Sequence, residues 1–282
     1  MRQFHVRPDP LLAPFVERLW GWESSPGETV ALPTLWPGTG AELYFPYRQA
    51  FQYQAGPGKT AACDTAHLLC LRRQALPLCP SDALGFVAVR LRAGMLHRFT
   101  DIPGGELIDR VLSVEDLWGR AGRNLVQRLH ECDAMPRRLR LIQDFLCQRL
   151  RPESADALVE RAVTTLYGES ASIAIGQLAA RLEVGPRQLE RRVLALTGQT
   201  AAELRCLGRF QKTLRALLLA PAAAPLDVAL ANGYYDQSHF SRDCRALASA
   251  PPGRLLRAAR AKTHFYNTPR SASGKMNAPD PI

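Results

Sequence analysis

Hydrophobic and polar positions follow two different periods along the chain. Up to residue 102, short apolar and aromatic runs are broken by Pro and Gly, as at residues 18–22, 41–45 and 66–71. In the clearest run, residues 85–92, one apolar face alternates with a face that carries arginine: Val87, Val89 and Leu91 against Ala88, Arg90 and Arg92. A period of two is typical of strands. Several short strands between turn signals predict a small barrel or sandwich.

From about residue 104 the apolar spacing becomes helical. Leu107, Ile108, Val111 and Leu112 fit one helix, and a stripe that follows Pro136 predicts another. Residues 153–261 are almost entirely helical in pattern, with Gly and Pro at the breaks. The predicted helices there span residues 154–167, 173–182, 186–196, 200–219, 225–232, 236–247 and 252–261.

These periods predict an α+β protein of two domains. A β-rich, barrel-like or sandwich-like domain with trailing helices occupies residues 1–150, and an all-α domain occupies residues 153–262. Residues 263–282 are rich in Ser, Asn, Pro and Gly and are predicted to be a disordered tail.

An internal repeat lies in the helical part. Leu178 and Ala179 are equivalent to Val228 and Ala229 at an offset of 50 residues. The offset becomes 51 in the next helix, which places the extra residue in the turn. Each copy therefore has a short helix, a tight turn and a second helix, the arrangement of a helix-turn-helix motif, and the helix at residues 200–219 joins the two copies.

Polar residues on the second helix of each copy are predicted to face outward, because Leu189 and Val193, like Phe240 and Cys244, are spaced for the core. Arg can form paired hydrogen bonds with guanine, and Gln with adenine, at the edge of the major groove. The candidate DNA-binding residues are Arg187, Gln188, Arg191, Gln237, Ser238, His239 and Arg242. For His239, packing and phosphate contact are alternatives to a base contact. Basic residues on the joining helix, Arg209 among them, fit phosphate contact or a solvated face equally well.

Residues 170–261 resemble the DNA-binding domain of the AraC/XylS family of bacterial transcription regulators. The most specific stretch is Gly233-Tyr-Tyr-Asp-Gln-Ser-His-Phe240-Ser-Arg242, which is similar to the family pattern G-F-x-D-x-S-x-F-x-R. The chain departs from that pattern at Gly185, at Val193 and Cys244, which replace Phe, and at Ser249, which replaces Gly. The resemblance implies a sequence-specific transcription factor that contacts two adjacent major grooves with helices 186–196 and 236–247.

The N-terminal residues resemble, more loosely, a domain found on some regulators of this family, in residues 15–22, 37–43 and 72–74. This resemblance implies a sensing or dimerising role. A small-molecule effector of unknown identity, a homodimer and contact with RNA polymerase are implied by the family alone.

Charge supports a polyanionic partner such as double-stranded DNA. The net charge is +10, and residues 151–282 carry 18 Lys and Arg against 11 Asp and Glu, whereas residues 1–150 carry 18 against 15. An apolar run of membrane-spanning length is missing, as is a secretory signal, so a cytoplasmic protein is expected.

Two other classes of function compete with a transcription regulator. An enzyme would need a catalytic or metal-binding constellation, and the sequence offers none, so no enzymatic activity, cofactor or metal is predicted. An architectural DNA binder without a ligand would show no small-molecule effect and no pocket in residues 1–102.

Overall fold

The computed structural model describes residues 1–260 except 39, 50, 57–58, 64, 70–72, 74, 152 and 154–155. The strands, in chain order, are β1 (Arg2–Val6), β2 (Val16–Glu23), β3 (Thr34–Leu35), β4 (Glu42–Pro46), β5 (Phe51–Gly56), β6 (Lys59–Cys63), β7 (His67–Leu69), β8 (Leu76–Pro77), β9 (Gly85–Leu91) and β10 (Val111–Ser113). A 3₁₀ helix spans Leu96–Arg98. The α-helices are α1 (Gly104–Leu107), α2 (Val114–His130), α3 (Met135–Arg149), α4 (Ala157–Gly168), α5 (Ile175–Arg181), α6 (Pro186–Thr197), α7 (Ala201–Leu219), α8 (Pro225–Ala231), α9 (Gln237–Ala248) and α10 (Pro252–Arg260).

A six-stranded antiparallel sheet forms the centre of the N-terminal part, in the order β1-β2-β9-β4-β7-β10. One face packs against α2 and α3, and the other packs against residues 30–35 and 76–78 around Trp20, Trp22 and Phe86. The predicted α+β fold, with a β-rich N-terminal part and a helical C-terminal part, is confirmed.

Strand β9 shows how the alternating pattern is used. Val87, Val89 and Leu91 lie on the helix-covered face, as predicted. The opposite face is also buried, so Arg90 is only 5% exposed and lies 3.4 Å from the Glu42 carboxylate. A buried arginine is tolerated in a sheet when a carboxylate offsets its charge.

The helical spacing at residues 107–112 gave a wrong prediction. Helix α1 ends at Leu107, and Val111–Ser113 form the edge strand β10, paired with β7. Backbone pairing with β7 outweighs local periodicity here. A three-residue strand is also too short to show a period of its own. The helix predicted at Pro136 and the seven in the C-terminal part are present, with ends within about three residues of the prediction.

The N-terminal part is joined to the helical part by buried polar contacts. The Arg98 guanidinium donates from Nε to Glu160 of α4 at 2.6 Å and from Nη2 at 3.0 Å, and His97 Nε2 lies 2.8 Å from the same carboxylate. Trp36 lies in the hydrophobic core formed by α7, α9 and α10, where Gln211 donates to the Pro37 carbonyl at 3.3 Å.

Two predictions fall on residues outside the described part of the chain: the disordered tail, and the looser resemblance where it includes residues 39, 72 and 74. The aromatic residues Trp20, Trp22 and Tyr44 pack edge to face in the core.

None of the described helices combines the length and the apolar character needed to cross a bilayer.

Burial of His67 makes the stability of the N-terminal part depend on pH. Its ring stacks on Tyr44, and desolvation lowers its pKa from 6.5 to about 4. Below pH 6.5 the unfolded chain binds a proton here that the folded protein binds only near pH 4, so stability is lost as the pH falls through this window.

Through His67, the wild type should lose about 2 kcal/mol of unfolding free energy between pH 7 and pH 5. His67→Phe retains a stacking ring but does not titrate, so we expect it to lack this loss. Urea unfolding at both pH values measures it, with the exposed His130→Gln as control. An equal loss in wild type and His67→Phe would contradict the assignment.

Candidate nucleic-acid interface

Two equivalent helix pairs form the candidate site. Helices α5 and α8 have seven residues each, and α6 and α9 have twelve. We call α4–α6 the first unit and α7–α9 the second unit, and α6 and α9 the recognition helices.

The recognition helices are anchored by apolar side chains at equivalent positions. Leu189 and Val193 are fully buried in the core of the first unit, and Phe240 and Cys244 are buried in that of the second. Val193 and Cys244, where the family pattern has Phe, thus still occupy the core. The small residues Ala179 and Ala229, on the first helix of each pair, are also fully buried.

The turns contain residues in the left-handed region at equivalent positions. Glu183 has φ 55° in the first unit, and Gly233 has φ 88° in the second. A Cβ on Gly233 would lie 2.5 Å from the Cα of Ala171, so this turn needs glycine for close packing as well as for its conformation.

Most of the predicted site residues are exposed. Arg187, Gln188 and Arg191 are exposed on α6, and Gln237, Ser238 and Arg242 are exposed on α9. The helical spacing of each set places its members along one side of its helix.

His239 has a different environment. It is half-buried, and Arg209 Nη2 donates to its Nε2 at 3.0 Å. Its ring meets Tyr234 edge to face at 5.1 Å. The side chain therefore packs against the second unit, the alternative that the sequence left open.

Sequence reasoning missed two features of this surface. Tyr235, 87% exposed, directly precedes Asp236, which caps the N-terminus of α9 by accepting from the His239 amide at 2.7 Å. Leu194 is 45% exposed on α6, seven residues after Arg187.

Arg209, expected at phosphate or in solvent, is instead 8% exposed and points into the protein.

Both recognition helices end in the same way. Gly198 (φ 70°) and Ser249 (φ 53°) are separated by the repeat offset of 51 residues, and each is the left-handed cap of its helix. A Cβ on Gly198 would lie 2.6 Å from the carbonyl of Gly104, so the N-terminal part packs directly on the end of α6.

The comparisons with known proteins agree with this arrangement. Residues 178–258, from within α5 to within α10, match the family model of a helix-turn-helix domain. They form an AraC-type helix-turn-helix domain. The chain thus carries a DNA-binding domain of the kind found in AraC-type transcription regulators.

Solved structures similar to the whole chain include ToxT from Vibrio cholerae, with 13% identity over 86% of this chain and 98% of that chain at a TM-score of 0.49. ToxT bound to an unsaturated fatty acid has 11% identity over 87% and 96%, with a TM-score of 0.45. The C-terminal domain of AraT, a response regulator from Geobacillus stearothermophilus, has 21% identity over 42% and 97%, with a TM-score of 0.35. No curated protein sequence matches this chain. The AraC-type assignment concerns residues 178–258 alone and rests on the domain match, because these TM-scores are below 0.5.

Among the described residues, no three or more His, Cys, Asp or Glu side chains are grouped so that they could hold a metal ion. Of the cysteines that the structure describes, Cys206 and Cys244 lie in the AraC-type domain. Burial raises the pKa of the Cys206 thiol to about 11 and that of Cys244 to about 12, with the Asp243 carboxylate adding to both. Both thiols are therefore protonated at neutral pH.

The two helix caps provide a matched test of the repeat. Ser249→Gly is expected to raise the free energy of unfolding by about 1 kcal/mol, because glycine adopts the left-handed conformation without the Cβ clash. Gly198→Ala should lower it by more than that amount, because its Cβ would also displace Gly104. Urea unfolding measures both; a loss of stability in Ser249→Gly would contradict equivalent caps.

Proposed function

We propose that this protein is a sequence-specific transcription regulator that inserts α6 and α9 into two adjacent major grooves of duplex DNA. The observation that carries the proposal is the equivalence of Arg191 and Arg242. They are separated by the repeat offset, both are exposed, and each lies between core residues of its recognition helix.

Side-chain chemistry supports base contact at these positions. Arginine donates paired hydrogen bonds to guanine O6 and N7, and Gln188 and Gln237 offer the donor and acceptor that adenine requires. Arg187, Ser238 and Tyr235 flank them near the N-termini of the helices, the end that commonly approaches bases in helix-turn-helix proteins. His239 would act by holding the start of α9 in place.

The length of α7 supports contact with both grooves at once. Nineteen residues give a helix about 28 Å long, close to the roughly 34 Å between successive major grooves on one side of B-DNA. A helix buried along its length cannot bend freely, so the separation of the recognition helices is fixed in advance. We propose that the DNA-binding domain occupies residues 153–262 and that residues 1–150 form a sensing or dimerising domain.

The excess of basic residues adds a contribution that does not depend on sequence. Phosphate contacts by Lys and Arg release counterions, so affinity should fall steeply as the salt concentration rises. This contribution alone would give binding without sequence preference, which is the architectural alternative.

Selection from a random duplex library tests the proposal, with the full chain as wild type, Arg191→Ala and Arg242→Ala. The wild type should enrich two sequence blocks about one helical turn apart. Each variant should lose one block and bind the enriched duplex about 1–3 kcal/mol more weakly, the cost of one lost bidentate base contact.

Arg123→Ala is the matched control, since Arg123 is exposed on α2 and is ion-paired with Glu115. It should keep both blocks. A wild type that enriches nothing would leave only non-specific binding by charge. If the wild type enriches two blocks and both variants keep them, the assignment of Arg191 and Arg242 to base contact is wrong.

A further inference from the structure

A charged residue lies on each recognition helix, away from its exposed face and at the same position of the repeat. Arg192 follows Arg191 in α6, and Asp243 follows Arg242 in α9, so the two are also separated by 51 residues. Successive residues of a helix lie about 100° apart around its axis, so these side chains leave the exposed face. Both are partly buried.

In the first unit, Arg192 is held by Asp156. Arg192 Nε donates to Asp156 Oδ2 at 2.7 Å, and Nη2 donates to Oδ1 at 2.6 Å. The hydrogen bonds from Arg192 hold the pKa of Asp156 below its usual range. Asp156 also caps α4, where it accepts from the Val159 amide at 3.1 Å. This two-point contact fixes the direction of the side chain as well as its distance.

In the second unit, Asp243 is held by Arg209 of α7. Arg209 Nη2 donates to Asp243 Oδ2 at 2.9 Å and also bonds His239, one turn earlier on α9. The guanidinium lies 4.5 Å from the centre of the Tyr234 ring, and the Cys206 thiol donates to Asp243 at 3.3 Å. Two adjacent turns of α9 are thus connected to one arginine.

The two contacts join equivalent elements, but the positive and negative partners are exchanged between the two units. Each connects the long helix that begins a unit, α4 or α7, to the recognition helix of that unit. The aspartate lies on the long-helix side in the first unit and on the recognition helix in the second. Apolar packing fixes how deeply a helix is buried but is not directional, whereas a charged hydrogen bond is.

From this geometry we propose that Asp156–Arg192 and Arg209–Asp243 are positioning pairs that set the rotation of α6 and α9 about their axes. Rotation decides which base edges the preceding residues, Arg191 and Arg242, can contact. The pairs therefore contribute to the sequence preference of each block without touching DNA. The inference rests on the proposed function, because it concerns how the same interface is oriented.

Nearly isosteric variants separate positioning from stability. Asp156→Asn retains a side chain that caps α4 as well as aspartate does but removes the charge that holds Arg192. Asp243→Asn does the same to the contact with Arg209. Glu169→Gln is the matched control, because it removes the exposed ion pair of Glu169 with Arg181 of α5 and contacts neither recognition helix.

The experiment repeats the library selection with the full chain of each variant and records its thermal unfolding midpoint. Asp156→Asn should weaken the base preference within the first block alone, and Asp243→Asn should weaken it within the second block alone. Each variant should bind the duplex enriched by the wild type roughly tenfold more weakly, which is the size of one lost base contact. Arg192→Lys, which retains the charge without the two-point geometry, should fall between wild type and Asp156→Asn.

Different results overturn the two proposals. If the wild type enriches two blocks and the Asn variants keep both, or lose both together in proportion to their thermal destabilisation, then the positioning role is wrong and the proposed function stands. If the wild type enriches no pair of blocks, the proposed function fails and the positioning role with it.

Discussion

The burial of α7 is the constraint on which the rest of the structure depends. Eleven of its nineteen residues are buried, among them Leu204, Phe210 and Leu217, so the helix must be covered on several sides. Leu204 packs in the core of the first unit, whereas Phe210 and Leu217 pack in that of the second. One helix therefore belongs to two cores, and the two recognition helices cannot move independently without exposing it.

The N-terminal part extends this constraint because it contacts both units. It meets the first unit through Glu160 and Gly198, and the second through Trp36 and Gln211. Removing one partner of a buried ion pair such as Arg98–Glu160 leaves an uncompensated charge, which typically costs several kcal/mol. A change in the N-terminal part thus has a direct physical route to the orientation of both recognition helices.

The sequence predicted the helical part well because each helix there has its own period and its own punctuation. The repeat also identified the exposed side of α6 and α9 in advance. What it could not provide is contact between distant segments: Asp156 with Arg192, Arg209 with Asp243, and Trp36 with the second unit. Charges of opposite sign are common throughout the chain, so only the folded structure selects these pairs. The edge strand at Val111–Ser113 was missed for a similar reason, since its partner β7 is more than forty residues away.

The central claim is that α7 holds the recognition helices at one fixed separation, and the spacing between their two DNA blocks tests it most directly. Binding of the full chain should be measured on the enriched duplex and on duplexes with one, five or ten base pairs inserted between the blocks. Five base pairs turn the second block to the opposite side of DNA, so affinity should fall to the value for one block alone, and ten should not restore it because the reach is fixed. Equal affinity at all spacings would contradict a rigid connection through α7.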